Sequence, residues 1–393
     1  MNKFQILSVI ARNIELHYQT APIMNCSVLG GDAGNAIFMY YYSMIEPKYR
    51  CLADNYIDSL LKQSRYCKTS SYCNGRAGFG IALTFLERDG FVSGVMDALS
   101  YYDIILEKEL ENELRNNMHD FLHGFIGIGF YFLHRYKMGI KAAKAPLLQL
   151  SSYLCTKAEV CNRGIRWRLN DKPDRIYNIS LSHGMSSTLL LLANIYKYVG
   201  FAKELQKQIY HTVCEGVRYI LSQVRDPRIN DCYFPSTSFD CSSASYSRLG
   251  WCYGDLGIAI SLLNISEIIN DRQLNEKSLE ILSYNSVHRR NLQKSAVFDA
   301  CICHGASGIA QMFLSLTKYG IKDFYDANKY WHKITLDMGS VGSDNAIYKY
   351  FAGITDGYKE RLNILDGATG VGLYLIESIG ISTMLPELLL LKL

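Results

Sequence analysis

Two segments about fifty residues apart hold the side chains best suited to chemistry, Arg248-Leu-Gly-Trp-Cys-Tyr-Gly254 and Cys301-Ile-Cys-His-Gly305. In them Cys252, Cys303 and His304 each stand just ahead of a glycine that opens an apolar, helix-like run. Two thiols and one imidazole make a zinc ligand set one position short of closed. Catalytic zinc sites keep that fourth position for water or substrate. The ligands do not form a local Cys-x-x-Cys pair. By spacing alone, a metal site and two inert buried cysteines therefore stand level.

Further candidates lie on other glycine-led segments. His183 precedes Gly184, and Asp120 stands four residues before Gly124. A histidine with a carboxylate to orient it is the usual equipment for proton transfer. Taken singly, each is as well explained by helix capping. Arg248, four residues before Cys252, is either a solvated cation or a group that stabilises an anion. His119 and His123 compete with His183 by position. Cys73 also sits two residues before a glycine but has no histidine beside it, and reads as packing. The basic stretch Arg163-Gly-Ile-Arg-Trp-Arg168 would hold a leader peptide or stand in solvent.

These residues need a frame. With 393 residues, 49% apolar and 20% charged, the chain can bury a large core and lacks the composition of a disordered one. A net charge of +4 with no basic block excludes a nucleic-acid footprint. The opening Met1-Asn-Lys-Phe-Gln-Ile-Leu-Ser is broken by polar residues and lacks a small-residue cleavage site, so it reads as an amphipathic helix and not an export signal. No run of eighteen apolar residues occurs, so no membrane span is expected. Twelve cysteines without an export signal point to a reduced, cytoplasmic protein.

One phrase recurs seven times. Gly31-Asp-Ala-Gly34, Gly75-Arg-Ala-Gly78, Gly124-Phe-Ile-Gly127, Gly184-Met-Ser-Ser187, Gly254-Asp-Leu-Gly257, Gly305-Ala-Ser-Gly308 and Gly367-Ala-Thr-Gly370 each lead into an apolar run. Steps range from 44 residues (Gly31 to Gly75) to 70 (Gly184 to Gly254), enough for a helical hairpin with loops. Amphipathic stretches such as Lys203-Glu-Leu-Gln-Lys-Gln-Ile-Tyr lie between copies, and strand-like alternation is scarce. The expectation is an all-α ring of seven inner and seven outer helices, an α/α toroid. It would form a single domain over residues 1–393, with residues 84–118 as the place for any inserted material. In such a ring the helix N-termini share one rim, where free amides and the helix dipole favour thiolates and other anions.

The chain resembles the lanthionine synthetase C-like (LanC) cyclases. Trp251-Cys-Tyr-Gly254, then Cys303-His-Gly305, with Ser182-His-Gly184 upstream, on a sevenfold glycine repeat, carry the resemblance from Gly31 to Gly370. It implies an α/α toroid with one zinc per chain, held by Cys252, Cys303 and His304, and catalytic roles for Asp120, His183, Arg248 and Tyr253. The implied reaction is Michael addition of a precursor peptide's cysteine thiols to dehydroalanine or dehydrobutyrine, forming (methyl)lanthionine thioether rings. The implied partners are the dehydrated precursor peptide and a lanthipeptide dehydratase and exporter complex that would hold the chain peripherally at the membrane. Ser187 departs from the repeat, which bears on packing of the fourth inner helix.

Other readings remain open at this level. The same residues would serve a LanC-like enzyme that adds glutathione or another free thiol to dehydroamino acids in proteins. A non-catalytic peptide-binding scaffold in a modification complex would be expected to have lost the ligand set. A zinc-dependent prenyltransferase subunit would need a carboxylate, a cysteine and a distant histidine. A carbohydrate-active α/α barrel would need paired rim carboxylates, whereas Asp32, Asp255 and Asp366 read as helix-start residues.

Overall fold

The computed structural model describes residues 2–21, 25–169, 177–238, 240, 246–339 and 348–393. In chain order it contains α1 (Lys3–Thr20), α2 (Asp32–Ser43), α3 (Arg50–Ser64), α4 (Arg76–Arg88), α5 (Met96–Arg115), α6 (Phe125–Lys137) and α7 (Lys144–Lys157). Next come strands β1 (Glu159–Cys161) and β2 (Gly164–Arg166), then α8 (Met185–Tyr198), α9 (Lys203–Leu221), α10 (Pro227–Asn230), α11 (Asp255–Ile269) and α12 (Arg272–His288). The chain ends with α13 (Ala306–Leu316), α14 (Lys322–Asp337), β3 (Lys349–Phe351), β4 (Tyr358–Glu360), α15 (Ala368–Glu377) and α16 (Leu385–Leu388). Each strand pair is a short antiparallel hairpin, with Glu159 opposite Arg166 and Phe351 opposite Tyr358.

Every copy of the glycine phrase begins a helix, and these seven helices are the apolar ones. All twelve residues of α2 are buried, as are the first eleven of α8. A helix apolar on every side must be enclosed on every side. The helices between them are one-sided: in α9 the buried residues are Ile209, Thr212, Val213, Gly216, Val217, Tyr219 and Ile220, one face of a 3.6-residue period.

The chain divides into two compact units, residues 1–102 with 296–392, and residues 103–295. In the first, α13 packs on α14 and α2 on α3, while α15 packs on α2 and on α1. The N-terminal outer helix therefore covers the last inner helix. In the second, α8 packs on α6, α9 and α11, and α11 on α12. There Arg135, almost fully buried, is held by two nitrogens on Asp103, which also accepts from the Tyr131 hydroxyl.

Six of the seven loops before the inner helices share one construction. The residue after the N-cap glycine donates its amide to the carbonyl seven residues back: Asp32 to Asn25, Arg76 to Thr69, Phe125 to Met118, Met185 to Asn178, Ala306 to Asp299 and Ala368 to Arg361, at 2.9–3.1 Å. The loop thus satisfies a helix-start donor that has no partner inside the helix. It also brings backbone against the glycines. A Cβ on Gly78 would lie 1.9 Å from the Tyr72 carbonyl oxygen, and one on Gly308 1.9 Å from that of Ile302. Ser187 takes the equivalent place in α8, fully buried, with its hydroxyl donating to the Gly184 carbonyl.

Gly78→Ala is expected to destabilise the protein by about 1–3 kcal/mol, because the new methyl meets backbone that cannot swing away. Gly200→Ala, where nothing lies within 4 Å of the added carbon, should change stability by no more than about 0.5 kcal/mol. Denaturant unfolding of the two variants side by side checks the contrast.

Candidate active site

In the fourth, sixth and seventh copies the residue two positions before the N-cap glycine is tied to its counterpart in the next copy. In the second unit the Ser182 amide donates to the Cys252 carbonyl at 3.4 Å, and the Ser182 hydroxyl donates to the same oxygen at 3.0 Å. In the first unit Cys303 donates to the Leu365 carbonyl, and Leu365 to that of Leu29, both at 2.9 Å. The last copy is thereby linked to the first. Cys252 and Cys303 occupy equivalent places in this register.

The fifth copy is built differently where it carries Cys252. Gly254 has φ +95°, whereas the other six N-cap glycines have φ between −105° and −147°. Only glycine is at ease there, and a Cβ would also lie 2.1 Å from the Arg248 carbonyl oxygen. This local geometry sets Cys252 buried and Tyr253 and Arg248 half-buried.

Within the second unit, three of the expected catalytic residues gather, Asp120, His183 and Tyr253. His183 Nδ1 lies 2.7 Å from Asp120 Oδ2, across 63 positions of sequence. Asp120 Oδ1 accepts the His123 amide at 2.8 Å, which fixes the carboxylate. The Tyr253 ring lies 5.7 Å from the His183 ring, and its hydroxyl accepts from Asn178 Nδ2 at 3.4 Å. Burial alone would depress the His183 pKa, but the hydrogen bond and charge of Asp120, helped by Cys252, hold it above its ordinary value. Arg248 sits on the same loop, ahead of Cys252.

The competing histidines separate. His119 is buried and bonded through Nε2 to Thr188 Oγ1 at 2.7 Å, and burial pushes its pKa down to about 4. It is a neutral core histidine. His123 stacks on His183 with ring centres 5.9 Å apart, and burial likewise lowers its pKa. The basic stretch is half-buried and ion-paired: Arg163 and Arg166 pair with Asp240, and Arg168 with Glu159. Cys73 is buried, packed near Gly30.

Within the first unit, Cys303 is half-buried, and His304 beside it is 18% exposed. Two neighbours escaped the sequence reading. Asp299, Cys301 and His304 each offer a ligand atom within 4.8 Å of the others. Burial pushes the Cys301 thiol up to about 12, so it stays protonated. Burial would raise the Asp299 carboxyl too, but His304 and backbone donors hold it below the ordinary carboxylate range. The sequence signal was an Asp at the place filled by Asn25 and Asn178 in other copies. Soft sulfur together with imidazole is a donor set that suits zinc.

The family model described as "Lanthionine synthetase C-like protein" matches residues 22–389. Among solved structures, nisin cyclase is similar over 99% of this chain and 97% of its own, with a TM-score of 0.73 and 17% identity. That likeness establishes the fold, the α/α toroid expected from the glycine repeat. A sugar epimerase from a ruminal bacterium aligns over 97% of this chain and 100% of its own, at TM-score 0.47 and 12% identity. No curated protein matches by sequence. No helix among the described residues is long and apolar enough to cross a membrane.

Asp120→Asn should lower the His183 pKa, because burial then acts without the carboxylate's hydrogen bond and charge. NMR titration of the imidazole checks this. The sign for stability follows from the raised folded value: the pair's contribution is full below the unfolded pKa of about 6.5 and is lost as pH rises through the folded pKa. In Asp120→Asn that pH dependence should flatten.

Proposed function

Because the chain belongs to the lanthionine synthetase C-like family, we propose that it is a zinc-dependent lanthipeptide cyclase. Its reaction would be addition of a cysteine thiol of a dehydrated precursor peptide to dehydroalanine or dehydrobutyrine in the same peptide, giving a thioether ring. The observation that carries this reading is the Asp120–His183 pair at 2.7 Å, one residue from the bond that holds Cys252.

Cys252, Cys303 and His304 are the proposed metal ligands. The link from each copy to the next runs through the position two before the glycine, in the fourth, sixth and seventh copies. Cys252 and Cys303 hold the same place in their copies, two residues before the N-cap glycine, which supports their assignment as a matched pair of ligands. When bound, zinc would supply the charge that keeps the substrate thiol deprotonated at neutral pH, where a free thiol with pKa of about 8.5 is mostly protonated.

The remaining work falls to side chains. Attack on the β-carbon places negative charge on the amide oxygen as an enolate. Arg248 and the Tyr253 hydroxyl are suited to meet that charge. His183, held by Asp120 and with its pKa raised, is suited to carry the proton to the α-carbon. The thiol hydrogen and the new C–H balance, so the ring forms without change in mass.

The test is incubation of zinc-loaded protein with a dehydrated, cysteine-containing peptide, followed by a thiol-blocking reagent and mass spectrometry. Free thiol should disappear with peptide mass unchanged. Cys303→Ala should lose zinc and cyclisation together. His183→Ala should keep zinc and lose about 10²–10⁴-fold in cyclisation rate. Unchanged zinc stoichiometry in Cys303→Ala would sink the ligand assignment.

A further inference from the structure

Three of the loops before the inner helices close their turn with the side chain six residues ahead of the glycine. Asn25 Oδ1 accepts the Ser27 amide at 3.0 Å, Asn178 Oδ1 the Ser180 amide at 2.9 Å, and Asp299 Oδ1 the Cys301 amide at 2.9 Å. A neutral amide does this twice, so the turn needs no charge. Yet the sixth copy places a carboxylate there at 2% exposure. Burying an ionised group is costly unless donors meet it.

The second atom of these side chains accounts for the difference. In the fourth copy, Asn178 Nδ2 donates to the Tyr253 hydroxyl oxygen, so the turn residue already serves the site. In the sixth, Asp299 Oδ2 accepts the Phe351 amide from β3 at 2.7 Å, and His304 Nε2 lies 3.5 Å away. His183, the residue before glycine in the fourth copy, has its carboxylate on Nδ1 from another copy. His304 has one within its own loop, on the other ring nitrogen.

We propose that Asp299 is the positioning residue of His304: it accepts the Nε2 hydrogen, pins that tautomer and so assigns Nδ1 as the nitrogen that binds the metal. The inference deepens the zinc reading above and rests on it for the metal's identity. An imidazole whose far nitrogen donates to a carboxylate is fixed in orientation and made a better ligand. The β3 hairpin acquires a purpose, since its Phe351 amide holds the carboxylate in place.

Asp299→Asn is the discriminating variant, because Asn25 and Asn178 make the same turn. With ¹⁵N-histidine-labelled, metal-free protein at about pH 8, His304 should carry its proton on Nε2 in the wild type and lose that strong preference in Asp299→Asn. Zinc affinity, measured by competition with a chromophoric chelator, should fall about 10–100-fold in Asp299→Asn with stoichiometry kept at one. A His304 proton on Nδ1 in the wild type would overturn the inference, as would undiminished affinity in Asp299→Asn. Complete loss of zinc in that variant would overturn it too, by making Asp299 a ligand. If the wild type has the Nε2 tautomer but takes up no zinc, the positioning stands and the zinc reading falls.

Discussion

An inner helix that is apolar on every side begins with amides that have neither water nor a preceding turn to bond. The loop ahead of six of the seven such helices answers this by folding back, so that the first helical amide meets a carbonyl seven residues earlier. That single bond brings backbone so close to the helix start that a side chain at Gly78 or Gly308 would overlap a carbonyl oxygen. The glycine phrase is the consequence. Repeated through the chain, it also sets which residues stand at the loop's tip. The positions two and one before the glycine carry Cys303 and His304 in one copy, and Ser182 and His183 in another.

Chemistry enters through departures from that common loop. The N-cap glycine has positive φ only in the copy that carries Arg248, Cys252 and Tyr253. The fourth and sixth loops keep the common turn but load its closing side chain with a second task, Asn178 toward Tyr253 and Asp299 toward His304. A rigid scaffold suits such a site, because each functional side chain is fixed by backbone bonds that packing already demands. His183 illustrates the electrostatic side. Buried alone it would resist protonation, and Asp120 reverses that by offering a fixed negative charge at 2.7 Å. Two other histidines nearby lack such a partner on the ring and have lowered pKa values.

Much of this was legible in the sequence. Glycine spacing and all-round apolar runs are local properties, so the seven helix starts, the helical class and the register of Cys252, Cys303 and His304 could be read directly. The same holds for Ser187, which stands where the other six copies have glycine. Pattern alone left His119, His123 and His183 as rivals and did not show the ion pairs of the basic stretch around Arg166. Burial and partner geometry separate the histidines. The basic residues turn inward to Asp240 and Glu159, neither of which is marked in sequence as their counterpart.

Residue types and spacing alone therefore determined a helical repeat with two thiols and an imidazole set at equivalent places in it, because helix periodicity and glycine's steric role act over a few residues. Only the tertiary structure decided which carboxylate faces which histidine. Asp120 reaches His183 across 63 positions, and the second oxygen of Asp299 faces His304 within its own loop and the Phe351 amide of β3. Hydrogen bonds depend on ångström distances and ring orientation, and those exist only once the loops of different copies are packed side by side.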